Sequence, residues 1–330
     1  SVSISGDYAI VGAPYNDDPT IDSGSAYIFT RVTDTTWTQQ KIVTTDKAAS
    51  DYFGWSVSIS GDYAIVGAQG NDDAGSGSGS AYIFRYNGTT WSEQAKLVAN
   101  DAAQGDTFGY PVSISGDYAV VGAPYKTGGG AAYIFKREGT TWSQLVKLTG
   151  GDTVSGDRFG TSVSISDDYA IVGAEGTVSF TGAAYIYNAP NLIPTLTQDE
   201  YNKLTVNSLT GIESARITLN ANTYSASGQI SKFFVSEPGT YEVSARGSDA
   251  YAILTKDVVA PVITNATDIA NFDYSQAQST EQKIQASDKQ ASDNFGDSVS
   301  ISGDYAIVGA SFEDDGGAEA GAAYIYKRNA

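Results

Sequence analysis

Three loops of this chain carry the side chains best suited to hold a cation: Asn16-Asp17-Asp18, Asn71-Asp72-Asp73 and Glu313-Asp314-Asp315. Carboxylates grouped with glycine-rich backbone carbonyls offer the hard oxygen ligands that calcium takes six to eight at a time. The same residues also make solvated turns, in which Asp and Asn oxygens accept nearby backbone N–H groups. A second acidic spacing, Asp-x4-Asp-x-Phe-Gly, occurs at Asp46/Asp51, Asp101/Asp106, Asp152/Asp157 and Asp288/Asp293. Its expected role is structural, with Asp side chains accepting backbone N–H groups in a turn that leads to a buried Phe.

Catalysis has fewer candidates. The chain has no His and no Cys, which removes Ser-His-Asp triads, imidazole metal sites and thiol chemistry. Paired carboxylates would suit glycoside hydrolysis, and Glu175, Glu313 and Glu138 are acids that the repeats do not share. Nothing in their sequence context implies a raised pKa. They read as ordinary acids and the chain as non-enzymatic. With 38 Asp+Glu against 19 Lys+Arg and a formal net charge of −19, a nucleic-acid partner is not expected. No apolar run approaches the ~20 residues of a membrane span. The lack of any Met implies that Ser1 is not a translation start.

Aromatic side chains are abundant, with 22 Tyr and 4 Trp, and most recur at fixed positions, as packing residues do. Tyr15, Tyr125 and Phe312 occupy one loop slot just after a strand, where they could stack on a sugar or a protein partner or pack locally. Asn87 and Asn265 begin the sequons Asn87-Gly-Thr89 and Asn265-Ala-Thr267, both in expected turns.

The elements that must position these residues are written five times. "SVSISGDYAIVGA" stands at Ser1, Ser56 and Ser298, with variants near Pro111 and Ser162. Aligned on Val2, Val57, Val112, Val163 and Val299, the spacings are 55, 55, 51 and 136. Each repeat predicts four strands. Val-Ser-Ile-Ser alternates apolar and polar; Tyr-Ala-Ile-Val-Gly-Ala reads as buried on both faces, with a tight Ser-Gly-Asp turn between. Ala-Tyr-Ile-Phe (or Tyr) follows, then a Trp-led strand at Trp37, Trp91 and Trp142, which near Gln282 shrinks to Gln-Lys-Ile. Short antiparallel strands in repeats of about 50 residues predict an all-β fold of propeller blades.

Phe-Gly, then Ser-Val-Ser-Ile-Ser, then Val-Gly-Ala-Pro resembles the FG-GAP repeat, which builds the propeller of integrin α-subunits and of many secreted proteins. The resemblance implies a five-bladed propeller over 1–187 and 281–330, with extracellular or cell-surface placement and binding to protein or glycan partners through its loops. Relatives often carry a calcium loop between the first two strands; Ser-Gly-Asp-Tyr here is too short to wrap an ion.

Between 188 and 280 the repeat grammar stops. Alternating segments such as "SARITLN" and "GTYEVSAR" predict an inserted β-sandwich, Ig-like in architecture, with linkers. Two eroded blades, giving seven in all, are the alternative. Because the chain stops on a third strand, the last blade is expected to lack its outer strand. That open edge could pair with a second copy and build a filament or coat. Adhesion or recognition is the leading expectation, and a structural subunit the alternative.

Overall fold

The computed structural model describes residues 1–17, 20–166, 169–176, 181–188, 281–288, 290–314 and 320–328, with strand segments between 214 and 263. The chain divides into two compact units: Ser1–Asn188 with Glu281–Ala330, and Ala189–Thr280.

In the first unit every described sheet is an antiparallel meander. Blade 1 is β1 (Val2–Ser5), β2 (Tyr8–Ala13), β3 (Ser25–Arg31) and β4 (Trp37–Ile42). Blade 2 is β5 (Val57–Ser60), β6 (Tyr63–Ala68), β7 (Ser80–Tyr86) and β8 (Trp91–Leu97). Blade 3 is β9 (Val112–Ser115), β10 (Tyr118–Ala123), β11 (Ala131–Glu138) and β12 (Thr141–Leu148). Blade 4 begins with β13 (Phe159–Ser166), β14 (Tyr169–Ala174) and β15 (Ala183–Asn188).

The second unit follows, with β16 (Ser214–Leu219), β17 (Asn222–Ser227), β18 (Phe233–Phe234), β19 (Gly239–Ala245), β20 (Tyr251–Lys256) and β21 (Val262–Ile263). Its sheets run β17-β16-β19-β20 and β18-β21, unlike the sequential order of the blades. Strand β22 (Gln282–Ile284) then returns to pair with β15 and completes blade 4. Blade 5 has three described strands, β23 (Phe295–Ser302), β24 (Tyr305–Ala310) and β25 (Ala322–Lys327). Among the described residues there is no helix long and apolar enough to cross a membrane.

The repeated phrase has a specific mechanical meaning. In β5 the apolar side chains Val57 and Ile59 turn toward blade 1 and are buried with its Ile10, Ala26, Ile28 and Ile42. The serines of the same phrase turn the other way. Ser56, Ser58 and Ser60 accept the N–H groups of Val112, Ile114 and Gly116 of blade 3 at 3.0, 3.2 and 3.3 Å. Ser1, Ser3 and Ser5 do the same for Val57, Ile59 and Gly61 of blade 2. Period-2 alternation thus presents greasy knobs to the preceding blade and hydroxyls to the following one.

The two ends of the motif meet at the same seam. Gly12 of β2 faces Gly54 of the next linker so closely that a Cβ would lie 1.9 Å from the Gly54 carbonyl oxygen. Beside it Phe53 is fully buried, edge-on to Tyr82 and Phe84 at 5.6 and 5.9 Å between centroids. Phe108, Phe159 and Phe295 repeat that wedge.

Candidate functional site

The linkers and the loops between second and third strands emerge at the same end of the blades, because each lies where a second strand stops or a first strand starts. The linker carboxylates are committed there. Asp51, Asp106 and Asp157 are buried and accept the N–H groups of Ala48, Ala103 and Val154 at 2.7–2.8 Å, the turn role expected for this spacing. The first Asp of each pair does something else. Asp46, Asp101, Asp152 and Asp288 accept the phenol O–H of Tyr82, Tyr133, Tyr185 and Tyr324 at 2.8–3.0 Å. Lys96, Lys147 and Lys283, from the outer strands, pair with the first three. The Lys283 hydrogen bond holds the Asp152 carboxyl below the usual carboxylate range, against the opposing effect of burial and with help from Tyr185.

The acidic loops are closed by their own chain. Asp17 accepts the N–H of Asp22 at 3.0 Å, and Asp72 that of Gly77 at 2.7 Å. Asn71 is buried and accepts the hydroxyl of Ser80 at 2.8 Å; Asn16 accepts the ammonium of Lys41 at 3.2 Å. Asp73 pairs with Lys96. Glu313 is buried and its carbonyl accepts the N–H of Gly321 at 2.9 Å, while Asp314 is exposed. Asp18, Asp315 and Asn265 lie outside the described residues. Among the described residues no three carboxylates converge on one point. In blade 1 the turn between first and second strands offers one carboxylate, and Asp7 gives that to the guanidinium of Arg31 at 2.8 Å, where calcium needs six to eight oxygens.

The slot of Asn16, Asn71 and Glu313 holds Lys126 in blade 3, where its ammonium sits 2.7 Å from the buried Asp106 carboxylate. Of the unshared acids, Glu175 pairs with Arg158 at 2.8 Å and Glu138 with Lys136 at 3.5 Å. Asn87 is exposed in the β7–β8 turn and caps it by accepting the N–H groups of Thr89 and Thr90, both at 2.9 Å.

Aromatic side chains do gather at this end. Tyr15, 65 % exposed, stands edge-on to Tyr52 and Trp55, with centroids at 5.8 and 6.2 Å. Trp55 lies 5.8 Å from Tyr110. The phenol of Tyr110 is pushed up by burial and by the neighbouring Tyr125 and Glu175. Tyr125, 52 % exposed, lies under the guanidinium of Arg158 at 5.5 Å. A run of rings, Tyr15, Tyr52, Trp55, Tyr110 and Tyr125, therefore crosses blades 1 to 3 and ends on the Arg158–Glu175 pair. Phe312 is also exposed, but no described ring contact joins it to the run.

Backbone geometry helps to hold the run in place. Tyr52 and Arg158 immediately precede a buried Phe and have φ of 55° and 56°, a left-handed conformation that non-glycine residues adopt at some cost. The Tyr52 N–H is anchored on the Asp22 carbonyl at 3.1 Å. Tyr15 and Tyr125 were expected as exposed aromatics; Tyr52, Trp55, Tyr110 and Arg158 were not singled out by sequence. The available signal was disagreement between copies: the residue after Phe-Gly is Trp55, Tyr110, Thr161 or Asp297. Tilted and edge-to-face rings with open outer surfaces suit stacking on another apolar or partly apolar face, and Arg158 adds a fixed cation beside them.

A family model for the FG-GAP repeat matches residues 1–29, 37–84, 91–135, 142–187 and 279–326, together more than half of the chain. A search of curated proteins finds no match. Among solved structures, Sqt1 of Chaetomium thermophilum is similar over 94 % of this chain and 66 % of that one, at 12 % identity and a TM-score of 0.41. The chain thus spans just under two thirds of that protein's length.

Proposed function

The chain belongs to the FG-GAP repeat family, and from that premise we propose that it is a non-enzymatic extracellular recognition module that binds glycan or protein partners through the loop end of its blades. The observation that carries this reading is the aromatic run from Tyr15 to Tyr125 with Arg158 at its end. Tyr, Trp and Arg are the residues that dominate binding energy at interfaces. A run of this kind fits an extended partner, such as an oligosaccharide or a peptide strand, better than a small buried ligand. Screening the intact chain on glycan arrays and against surface-protein libraries tests the reading, with Trp emission as the solution readout because Trp55 sits inside the run. Silence on both screens removes it.

A structural role in a filament or coat is the second reading. Electron microscopy of assemblies from the native source tests it. Calcium binding by the acidic loops is a separate proposal resting on their donor set; a flat calorimetric titration with calcium removes it. Asn87 is exposed, as an N-glycan acceptor must be, and mass spectrometry of the secreted chain tests its occupancy.

A further inference from the structure

Blade 2 breaks a pairing that blades 1, 3 and 5 keep. The N–H groups of Arg31, Tyr86, Arg137 and Arg328 donate to the carbonyls of Asp7, Asp62, Asp117 and Asp304, so these four pairs are equivalent. Arg31, Arg137 and Arg328 also give their guanidinium groups to the carboxylate of the same Asp. In blade 2 that place belongs to Tyr86, which packs on Tyr8 and Trp91 with centroids at 5.5 and 5.4 Å. Asp62 is exposed and meets no cation among the described residues. The arginine of blade 2 stands one residue earlier, at Arg85, where blades 1, 3 and 5 have Thr30, Lys136 and Lys327.

A shift of one residue in a strand is a change of face. Ile83 is buried with Val112 and Ile114 of blade 3, so Arg85, two residues on, turns toward blade 3, whereas Tyr86 turns toward blade 1. The Arg85 guanidinium lies 5.8 Å from the centre of the Tyr63 ring, and Arg137 of blade 3 lies 4.4 Å from the same ring. Arg137 is neutralised by Asp117, and Arg158 by Glu175; Arg85 has no carboxylate and no hydrogen-bond acceptor among the described residues. An exposed ion pair contributes little stability, so the exchange costs blade 2 little. It leaves one guanidinium uncommitted in a chain whose formal net charge is −19.

Arg85 lines a groove of about 380 Å³ together with Asn87, Ser92, Glu93 and Gln94. Ser92 lies directly opposite Arg85 in the β7–β8 pair, is exposed, and its hydroxyl has no partner among the described residues. The side-chain oxygen of Gln94 accepts the indole N–H of Trp142 at 3.2 Å, which holds that amide on the blade 3 side and leaves its NH₂ to donate. Glu93 lies opposite Phe84 and its carboxylate accepts the N–H of Thr45 at 3.3 Å, off the face that Arg85 occupies. Asn87 spends its oxygen on capping the turn. The groups left to bind are therefore one cation, one hydroxyl and one amide donor. All five lining side chains are polar, which suits a hydroxylated ligand and not an apolar one. The volume is that of a small-molecule site and far exceeds what an inorganic ion fills.

We propose that this groove binds an acidic sugar, with the carboxylate of a uronic or sialic acid unit on the fork of Arg85 and the ring hydroxyls on Ser92 and Gln94. A planar carboxylate accepts two parallel N–H groups from one guanidinium, the strongest pairing that such a group offers. The groove lies at the end of the blades where first and second strands are joined, opposite the aromatic run, and the proposal does not rest on that run.

Calorimetric titration of the intact chain tests this, with oligosaccharides of glucuronate, galacturonate and N-acetylneuraminate as probes, each beside its uncharged methyl ester. At least one acid is expected to bind, and its ester to bind roughly tenfold more weakly or less, the scale of a hydrogen bond to a charged group. Arg85→Gln is expected to weaken the acid by the same factor and to leave the ester unchanged. Arg85 is exposed, and unchanged circular dichroism and melting confirm that the variant folds. Inorganic sulfate at the concentration of the sugar is expected not to displace it. Silence across all three acids overturns the proposal. So does an acid that binds Arg85→Gln as it binds the wild type, which would place it elsewhere on the chain, the aromatic run included. Sulfate that competes on equal terms would show a bare anion site and contradict the sugar.

Discussion

The hydroxyl of Ser58 accepts the backbone N–H of Ile114 across a blade junction at 3.2 Å. A serine of the repeat thus works as a fixed rung between sheets. Ser58→Ala leaves that N–H without its partner and is expected to lower unfolding free energy by about 1–2 kcal/mol. Ser300→Ala, at the exposed equivalent position of blade 5, is expected to change it by less than about 0.5 kcal/mol. Urea denaturation of both variants makes the comparison, and equal losses would contradict the rung.

Gly67 is expected to be among the least replaceable residues of blade 2. A Cβ there would lie 2.0 Å from the backbone oxygen of Gly109, which cannot swing aside. Gly67→Ala should cost about 3 kcal/mol or more by forcing two blades apart. Gly116 has φ of +54° but nothing within 4 Å of an added Cβ, so Gly116→Ala should cost about 1 kcal/mol from backbone strain. Thermal melts that rank the two variants the other way would refute close approach as the reason for the glycine of Val-Gly-Ala.

Lys126 and Asp106 form a buried ion pair at 2.7 Å, with side chains 7 % and 4 % exposed. Lys126→Ala strands the carboxylate and is expected to cost about 3–5 kcal/mol. Lys126→Asn places in blade 3 the residue that blade 2 uses at this slot, where Asn71 hydrogen-bonds Asp51, and is expected to cost distinctly less. Chemical denaturation of the two variants decides whether the slot needs a charge or a hydrogen bond.

The Asp152–Lys283 pair ties β22 to the linker before blade 4. A carboxyl depressed in the folded state adds stability that is present above its ordinary range and is lost as pH falls through the depressed value. Lys283→Met is therefore expected to lower the melting temperature at neutral pH, and the difference from wild type should vanish in acid. A difference that persists below the carboxylate range would assign the effect to packing of the lysine stem instead.

Much of the fold was legible in the sequence because each blade is written in local signals: a tight turn, period-2 strands and a central strand buried on both faces. Even the outer strand of blade 4 was visible as Gln282–Ile284, across the intervening segment. The direction of the serines was harder to read. A polar alternate face normally means solvent, and here it meets the backbone of the neighbouring sheet, so the pattern looks the same while the physics differs. The aromatic run was hidden for a related reason. Trp55 meets Tyr110 between different repeats, and no spacing within one repeat encodes a contact between two. The acidic loops stood out by composition, yet Asp17 and Asp72 accept amides of their own loops, which composition alone does not distinguish from ligation.

Recognition through the aromatic run is tested most directly by comparing the wild type with a Trp55→Ala/Tyr110→Ala variant on the same glycan and surface-protein arrays. Both side chains are half-buried at the loop end, so circular dichroism should confirm an intact fold. The expected result is loss of binding by roughly tenfold or more, the scale on which paired interface aromatics act. Binding that survives undiminished in the folded variant would contradict recognition through these rings.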